Sequence, residues 1–280
     1  MKKIALITLS LLMSASLQAQ ITMTWETHQM DNSRTGCIEP NASNIPESVG
    51  KVDAKGNYVS PNGKLFKKKT STAKVAKVML AAQPAMAPMK EVIGYSEKGM
   101  PRGRGQYELS NWFVDYMMEA TAELTGKHID FSITNFGGIR ANLPQGQVTV
   151  DDVMSIFPFQ NSFCYVALKG SRVRAIFERM AQRSMQAVGG VEVVVENRAL
   201  KSIKIGGEEL DDEKVYGLAT INFLLKGGDG LSLGDEALEL IDSGVWIYDK
   251  MIPYCRQLTA EGKTLDYHLD NRVTTIGGGR

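Results

Sequence analysis

The chain has 280 residues, of which 43% are hydrophobic and 22% are charged, a composition typical of globular proteins rather than of disordered or fibrous ones. Its 32 basic and 31 acidic residues leave a formal net charge of +1. A charge this close to zero gives no general attraction to polyanions, which excludes an unspecific nucleic-acid binder.

The N-terminus has the features of a secretory signal peptide. Two lysines follow the initiator Met, residues 4–13 are mostly apolar, and small residues lead to Ala19. The apolar run is too short to span a bilayer comfortably, so we expect cleavage near Ala19 rather than a membrane anchor. We therefore predict that residues 1–19 are removed, that the protein is periplasmic or secreted, and that it has no membrane span.

Cysteines and histidines are few and scattered. Cys37, Cys164 and Cys255 allow at most one intramolecular bridge in an oxidising compartment. Cys164 lies in a strand-like run and is expected to be a buried thiol, whereas spacing does not decide whether Cys37 and Cys255 pair. A dinuclear hydrolytic metal site needs several His and Asp ligands in clustered motifs, and the sequence shows none, so we expect no metal or other cofactor in this chain.

Residues 20–70 are polar and rich in turn-forming residues, and we expect an extension that wraps on the main domain or is partly disordered. A helix is predicted to start at Ser71 or Thr72, within a segment 71–90 that prolines limit, and its apolar stripe requires a partner surface. A longer amphipathic helix from Leu109 to Leu124 is predicted to stop at Gly126.

The remaining elements predict the fold class. Strand-like runs occupy residues 129–134, 163–169, 191–195, 200–205 and 215–221, and a last helix is predicted over 245–258. Thr149 and Asp152 resemble a capping box that starts a short helix. Because strands and helices do not alternate strictly, residues 91–280 are predicted to form an α+β domain with a single mixed sheet and packed helices.

Three turns at the ends of strands or short helices carry candidate binding groups. The first is Asn135-Phe136-Gly137-Gly138-Ile139-Arg140, the second is Phe157-Pro158-Phe159-Gln160-Asn161, and the third runs from Phe223 through Gly227-Gly228-Asp229-Gly230. Together they offer an arginine for a phosphate, two aromatic faces for a flat base, and a carboxylate for ribose hydroxyls. Taken singly, each phenylalanine fits a core position and each glycine turn fits an ordinary tight turn.

These three motifs, in this order and spacing, resemble the C-terminal domain of the 5'-nucleotidase family, which includes ecto-5'-nucleotidase and the periplasmic UDP-sugar hydrolases. The resemblance runs from about Val92 to Val273, and the helix before Met89 resembles the linker helix that joins this domain to the catalytic one. What the resemblance implies is a substrate-recognition domain that binds a nucleotide or nucleoside.

The resemblance also implies a role for each matching residue. Phe159 and Phe223 match the pair that stacks on the base, Asp229 matches the ribose-contacting carboxylate, and Asn161 matches a base-contacting amide. Asn135 and Arg140, with Gly137 and Gly138 between them, match ligands of base or phosphate groups. Arg104, or less readily Arg102, matches a further phosphate-binding arginine, although the spacing of residues 102–111 departs from the family pattern.

Family members normally carry an N-terminal metallophosphatase domain that holds two metal ions, and residues 20–90 of this chain are too short for it. We therefore expect the chain alone not to hydrolyse nucleotides. One interpretation is a split enzyme, in which a separate exported metallophosphatase chain supplies the divalent metals and docks near the helix from Ser71 and Arg104. The alternatives are a non-catalytic nucleotide- or nucleoside-binding protein and a degenerate interaction protein.

Overall fold

The computed structural model describes residues 45–277. The predicted signal peptide, residues 1–19, lies outside this range. So do residues 20–44 of the polar segment, which include Cys37. Within the described part of the chain, none of the helices is long and apolar enough to cross a membrane.

Seven α-helices and three 3-10 helices are present in the described residues. The α-helices are α1 (Ile45–Val49), α2 (Ser71–Ala82), α3 (Glu108–Thr125), α4 (Val150–Ile156), α5 (Gly170–Arg183), α6 (Asn222–Leu225) and α7 (Ile247–Ala260). The 3-10 helices are Gln83–Lys90, Phe136–Gly138 and Gly228–Gly230.

The strands are short and are distributed along the chain. They are β1 (Lys51–Val52), β2 (Tyr58–Val59), β3 (Leu65–Phe66), β4 (Val92–Ser96), β5 (Phe131–Thr134), β6 (Gly146–Thr149), β7 (Ser162–Lys169), β8 (Ala187–Gly189), β9 (Val191–Glu196), β10 (Ala199–Ile205), β11 (Glu208–Glu209), β12 (Val215–Ile221), β13 (Glu239–Trp246) and β14 (Val273–Ile276).

These strands form four sheets, and three of them lie within residues 91–280, for which the sequence predicted a single sheet. The central sheet has the order β13-β7-β12-β5-β8 and is mixed, because β12 and β5 are parallel and its other pairs are antiparallel. The other sheets are β11-β10-β9-β14, β4-β6 and β1-β2-β3. The mixture of helices and strands was predicted, but the partition into sheets depends on pairing between distant segments, which hydrophobic periodicity does not encode.

The core lies around the central sheet. Every residue of β5 is buried, and so is every residue of β7 except Lys169. The long helix α3 packs against β5, β7 and β8, and its buried residues include Leu109, Trp112, Phe113 and Met117. The strand β13 was missed because it is an edge strand whose residues are exposed or half-buried, so it shows no apolar alternation.

Local chemistry predicted several element boundaries correctly. The helix α3 ends at Gly126, which has a φ of 67° and serves as the left-handed C-cap. The Thr149 hydroxyl accepts from the Asp152 N–H, and Asp152 Oδ2 accepts from the Thr149 N–H at 2.7 Å, which completes the capping box of α4. The last helix begins at Ile247 rather than at residue 245, because β13 continues to Trp246.

The helix α2 begins at Ser71 as predicted, but its apolar stripe faces solvent. Val75 is 59% exposed, Val78 is 71% exposed and Met79 is 56% exposed, and Ala73 is the only buried residue of α2. The N-terminal strands β1, β2 and β3 form a small sheet next to it, which the turn-rich composition of that segment did not predict.

The two cysteines in the described residues are both free and buried. Burial raises the pKa of the Cys164 thiol to about 12 and that of the Cys255 thiol to about 12. Both thiols are therefore protonated at neutral pH and behave as small apolar side chains.

Candidate functional site

A cavity of about 530 Å³ opens where the three predicted turns meet. The residues that the sequence singled out all line it: Arg104, Asn135, Gly137, Gly138, Arg140, Phe159, Asn161, Phe223 and Asp229. The central sheet brings them together, since Asn135 follows β5, Asn161 precedes β7 and Asn222, the first residue of α6, follows β12. Asn135 and Asp229, which are 94 positions apart in the sequence, therefore lie on one wall of the cavity because β5 and β12 are neighbouring strands.

A hydrogen bond between Asn135 and Asp229 joins the first turn to the third. Asn135 is 5% exposed, and its Nδ2 donates to Asp229 Oδ2 over 2.6 Å. Its Oδ1 is buried and has no hydrogen-bond partner among the described residues. A buried amide oxygen without a partner is costly, so this atom is available to accept a hydrogen bond from a ligand.

The paired glycines make room for this contact. A Cβ on Gly138 would lie 3.0 Å from Asn135 Oδ1, and one on Gly137 would lie 3.3 Å from Asn135 Nδ2 and 3.5 Å from Asp229 Oδ2. A larger residue at either position would crowd the Asn135 amide. Glycine is needed at these two positions because other side chains approach closely, and not because the backbone has an unusual angle.

Asp229 is held in an unusual backbone conformation. Its φ is 49°, in the left-handed region that non-glycine residues rarely adopt, and it follows Gly227, whose φ is 95°. Such strain costs on the order of 1 kcal/mol and persists where the surroundings fix it. Here it presents an exposed carboxylate to the cavity, and Asn135 holds one of the two carboxylate oxygens.

Arg140 lies on the opposite edge of the first turn. Its backbone N–H donates to Ile156 O at 2.9 Å, which fixes the turn against the end of α4. Its guanidinium is exposed, donates to Gly137 O at 3.2 Å, and lies 5.8 Å from the centre of the Phe159 ring. Most of its donors are therefore free to meet an anion.

The two phenylalanines of the cavity are unlike those of the core. Phe159 is 45% exposed and Phe223 is 46% exposed, whereas Phe157, two residues from Phe159, is 2% exposed. A Cβ on Gly228 would lie 2.7 Å from carbon atoms of the Phe223 ring, so the third turn packs directly against that ring. Exposed aromatic rings in a polar cavity are suited to stacking on a flat ligand.

A second cavity of about 460 Å³ adjoins the first and is strongly basic. Arg102, Arg104 and Arg140 line it, and Arg104 and Arg140 also line the first cavity. The sequence predicted Arg104, and less readily Arg102, as a phosphate-binding residue. Of the two, Arg104 lines the first cavity and Arg102 does not. The backbone N–H of Arg102 donates to Asn142 Oδ1 at 3.0 Å.

Three further residues line the first cavity that the sequence did not indicate as binding residues: Phe136, Ser184 and Gln186. The backbone N–H of Phe136 donates to Gln186 Oε1 at 3.1 Å, so the Nε2 group of Gln186 is left as a donor. Ser184 and Gln186 lie between α5 and β8, where no motif marks them. Their position follows only from the pairing of β8 with β5, which puts Ala187 opposite Thr134.

The arrangement can bind a ligand with an aromatic part, hydroxyl groups and an anionic part. It offers two exposed rings, amide groups from Asn135, Asn161 and Gln186, one carboxylate, and two arginines. Among residues 45–277, no three His, Cys, Asp or Glu side chains are grouped so that they could hold a metal ion.

The chain resembles known proteins in sequence and in fold. A family profile described as 5'-nucleotidase, C-terminal domain, matches residues 92–235. Protein UshA of Yersinia enterocolitica is 30% identical over 148 residues, which is 51% of this chain and 26% of that protein. The trifunctional nucleotide phosphoesterase protein YfkN of Bacillus subtilis is 26% identical over 208 residues, which is 66% of this chain and 14% of that protein.

Among solved structures, the crystal structure of a 5'-nucleotidase precursor from Thermus thermophilus superposes with a TM-score of 0.65. It is 24% identical, and the match covers 82% of this chain and 49% of the Thermus chain. The chain thus spans about half the length of that protein and about a quarter of the Yersinia relative. Because the profile covers half of its residues, the chain belongs to the 5'-nucleotidase family through that family's C-terminal domain.

Proposed function

We propose that this protein is the exported substrate-recognition component of a 5'-nucleotidase-type hydrolase, and that a separate metallophosphatase chain supplies the metal catalysis. One observation carries the proposal: the residues that can bind a base, a ribose and a phosphate all line one cavity of about 530 Å³. A cavity of this size suits a nucleotide-sized ligand.

In this proposal the base lies between the exposed rings of Phe159 and Phe223, with the amide of Asn161 at its edge. Stacking contributes on the order of 1–3 kcal/mol per base in single-stranded nucleic-acid binders, so two rings supply much of a micromolar affinity. Asp229, oriented by Asn135, accepts hydrogen bonds from the ribose hydroxyls. The buried Asn135 Oδ1 accepts a further hydrogen bond from the ligand.

The phosphate lies against Arg140 and Arg104, at the junction of the two cavities. Guanidinium groups suit phosphate oxygens because their N–H donors match them bidentately. These arginines favour a nucleotide over a free nucleoside, and they are the reason for preferring a component of a hydrolase to a simple base-binding protein.

The partner chain is proposed to dock on the exposed stripe of α2, near Val75, Val78 and Met79. Exposed aliphatic side chains at helical spacing are typical of a surface that is covered in an assembly. Both chains are proposed to be periplasmic or secreted, in line with the signal-like N-terminus.

The proposal is tested by separating binding from chemistry. Calorimetry of the purified mature chain with AMP is expected to show binding, and a phosphate-release assay with AMP and added Mg²⁺, Mn²⁺ or Zn²⁺ is expected to show no turnover. Turnover by this chain alone would contradict the split enzyme. Binding without turnover, and no gain when exported metallophosphatases of the same cell are added, would favour the non-catalytic nucleotide-binding protein.

A further inference from the structure

Two arginines at the end of α5 lie beside the turn that carries Asp229. A Cβ on Gly230 would lie 3.1 Å from an Nη atom of Arg183 and 4.0 Å from one of Arg179. The two residues are one helical turn apart, so both guanidinium groups reach the same side of that turn. Ser184 and Gln186, which follow directly in sequence, line the nucleotide cavity.

These two guanidinium groups differ from the others on the same helix. Arg174 donates to Asp212 at 2.8 Å, and Arg172 donates to Ser232 O at 3.0 Å. Arg179 and Arg183 are exposed, and neither forms an ion pair or hydrogen bond with any residue in the range 45–277. The arginines in the first half of α5 are therefore bonded to other residues of the chain. The two arginines at its end, beside Gly230, keep their donors free.

Two cavity-lining residues that follow α5 in the sequence also offer donors. Gln186 Oε1 already accepts from the Phe136 N–H, so its Nε2 group is left as a donor. The Ser184 hydroxyl donates only a long hydrogen bond of 3.3 Å to Met185 O. The carboxylate of Asp229, the residue before Gly230, already accepts from Asn135. Two guanidiniums, an amide and a hydroxyl are together a donor set for an anion.

We propose that this cluster, Arg179, Arg183, Ser184 and Gln186, binds a second phosphate carried on the 2' or 3' oxygen of the ribose. The proposal rests on the proposed function, in which Asp229 contacts the ribose hydroxyls. A ribose has two adjacent hydroxyls, so one can bond to Asp229 while a phosphate ester on the other reaches the arginines next to Gly230. The preferred ligand is then a nucleoside bisphosphate, with its 5'-phosphate at Arg140.

The test compares three ligands on the full mature chain by calorimetry: AMP, adenosine 3',5'-bisphosphate and adenosine 2',5'-bisphosphate. At least one bisphosphate is expected to bind at least about tenfold more tightly than AMP, which is the gain that a single charge-assisted hydrogen bond would give. Which of the two gains affinity identifies the 2' or the 3' oxygen. The double variant Arg179→Gln/Arg183→Gln is expected to abolish the gain and to change AMP affinity less than about twofold.

The control is Arg174→Gln, which removes one positive charge from the same helix at a side chain that is already bonded to Asp212. It is expected to keep the bisphosphate preference, so a loss there would mean that overall charge is responsible, which overturns the proposal. AMP binding without any bisphosphate preference would overturn this inference alone. Absence of binding by all three ligands would overturn the proposed function and this inference with it.

Discussion

Arg272 and Arg140 show how the same side chain serves structure in one region and is left available to a ligand in another. Arg272 is 7% exposed, and its guanidinium donates to both oxygens of Asp115 at 2.7 Å, to Asp270 and to Val188 O. Arg140 is exposed, and among residues 45–277 its guanidinium donates only to Gly137 O. The first guanidinium has its donors satisfied within the chain, and the second has not.

The two environments also differ in electrostatics. Burial acts to lower the pKa of Arg272, but hydrogen bonds to Asp115 and Asp270 outweigh burial and raise it, so the side chain stays charged. Arg272 thereby ties the C-terminal segment to α3 and β8. A saturated ion cluster stabilises one arrangement of the chain, whereas an unsaturated arginine next to an aromatic ring is suited to binding.

The largest expected effect is on stability, from Arg272→Met. The substitution keeps much of the side chain's volume but leaves Asp115 and Asp270 without their cation. We expect the free energy of unfolding to fall by about 3 kcal/mol, the lower end for a broken buried ion pair, because both carboxylates are partly solvated. Urea unfolding measures it, and AMP affinity of the folded protein is expected to stay within about twofold.

The matched control is Arg256→Met. Arg256 donates to both oxygens of Glu91, at 3.1 and 2.7 Å, but both side chains are about half exposed. We expect a loss too small to resolve by urea unfolding, because water and salt screen this surface pair. Equal losses of unfolding free energy in the two variants would mean that the buried ion pairs of Arg272 stabilise the protein no more than a surface pair does.

The second prediction is that substitution of Arg140 weakens ligand binding and leaves stability nearly unchanged, the opposite of what is expected at Arg272. Arg140→Ala is expected to weaken AMP binding by about 10- to 100-fold, since hydrogen bonds to a charged group are worth about 1.5–3 kcal/mol each. Adenosine affinity is expected to change less than about threefold, and the free energy of unfolding by less than about 0.5 kcal/mol. Calorimetry with both ligands measures the split, and equal losses for AMP and adenosine would make Arg140 a structural residue.

The sequence predicted the cavity better than it predicted the sheets. Asn135, Phe159 and Asp229 lie in turns whose glycines, prolines and polar residues are local signals, and these turns follow or precede strands that meet in one sheet. By contrast, β7 pairs with β12 some 50 residues away, and nothing in either segment specifies that partner.

The sequence did not indicate residues whose position depends on contacts between distant segments. Gln186 reaches the cavity only because β8 pairs with β5, and Arg272 is a single arginine in a polar segment near the C-terminus. In the sequence neither differs from an exposed surface residue. The exposed stripe of α2 was predicted as a pattern, but the pattern alone does not say whether a stripe packs inside the chain or faces solvent.

The third prediction concerns the two exposed rings. Phe159→Ala and Phe223→Ala are each expected to weaken adenosine and AMP binding alike, by more than about tenfold, because each removes one stacking face. Phe157→Ala is the contrasting variant, since its ring is buried against Phe113 at a centroid distance of 4.5 Å. It is expected to cost about 3 kcal/mol of stability instead. Unchanged affinity in both Phe159→Ala and Phe223→Ala would remove the stacking proposal.

The smallest expected effect is the pH dependence that Asp270 contributes. The hydrogen bond from Arg272 holds the pKa of Asp270 below its ordinary value. A carboxyl whose pKa is lowered by folding stabilises the protein above its unfolded pKa of about 3.9, and this contribution is lost as the pH falls towards the folded pKa.

Asp270→Asn is therefore expected to lower the free energy of unfolding by about 0.5–1 kcal/mol at pH 7, as for a partly exposed ion pair, and by less at pH 3. Urea titrations at pH 7, 4 and 3 measure the difference between the variant and the parent chain. The variant keeps part of the acid sensitivity because of Asp266. Burial acts to raise the pKa of Asp266, but the hydrogen bonds that it accepts, mainly from the Ser96 hydroxyl and the Glu97 N–H, together outweigh burial and lower its pKa. A difference that stays constant from pH 7 to pH 3 would show that Asp270 acts through packing, and that Asp115 alone neutralises Arg272.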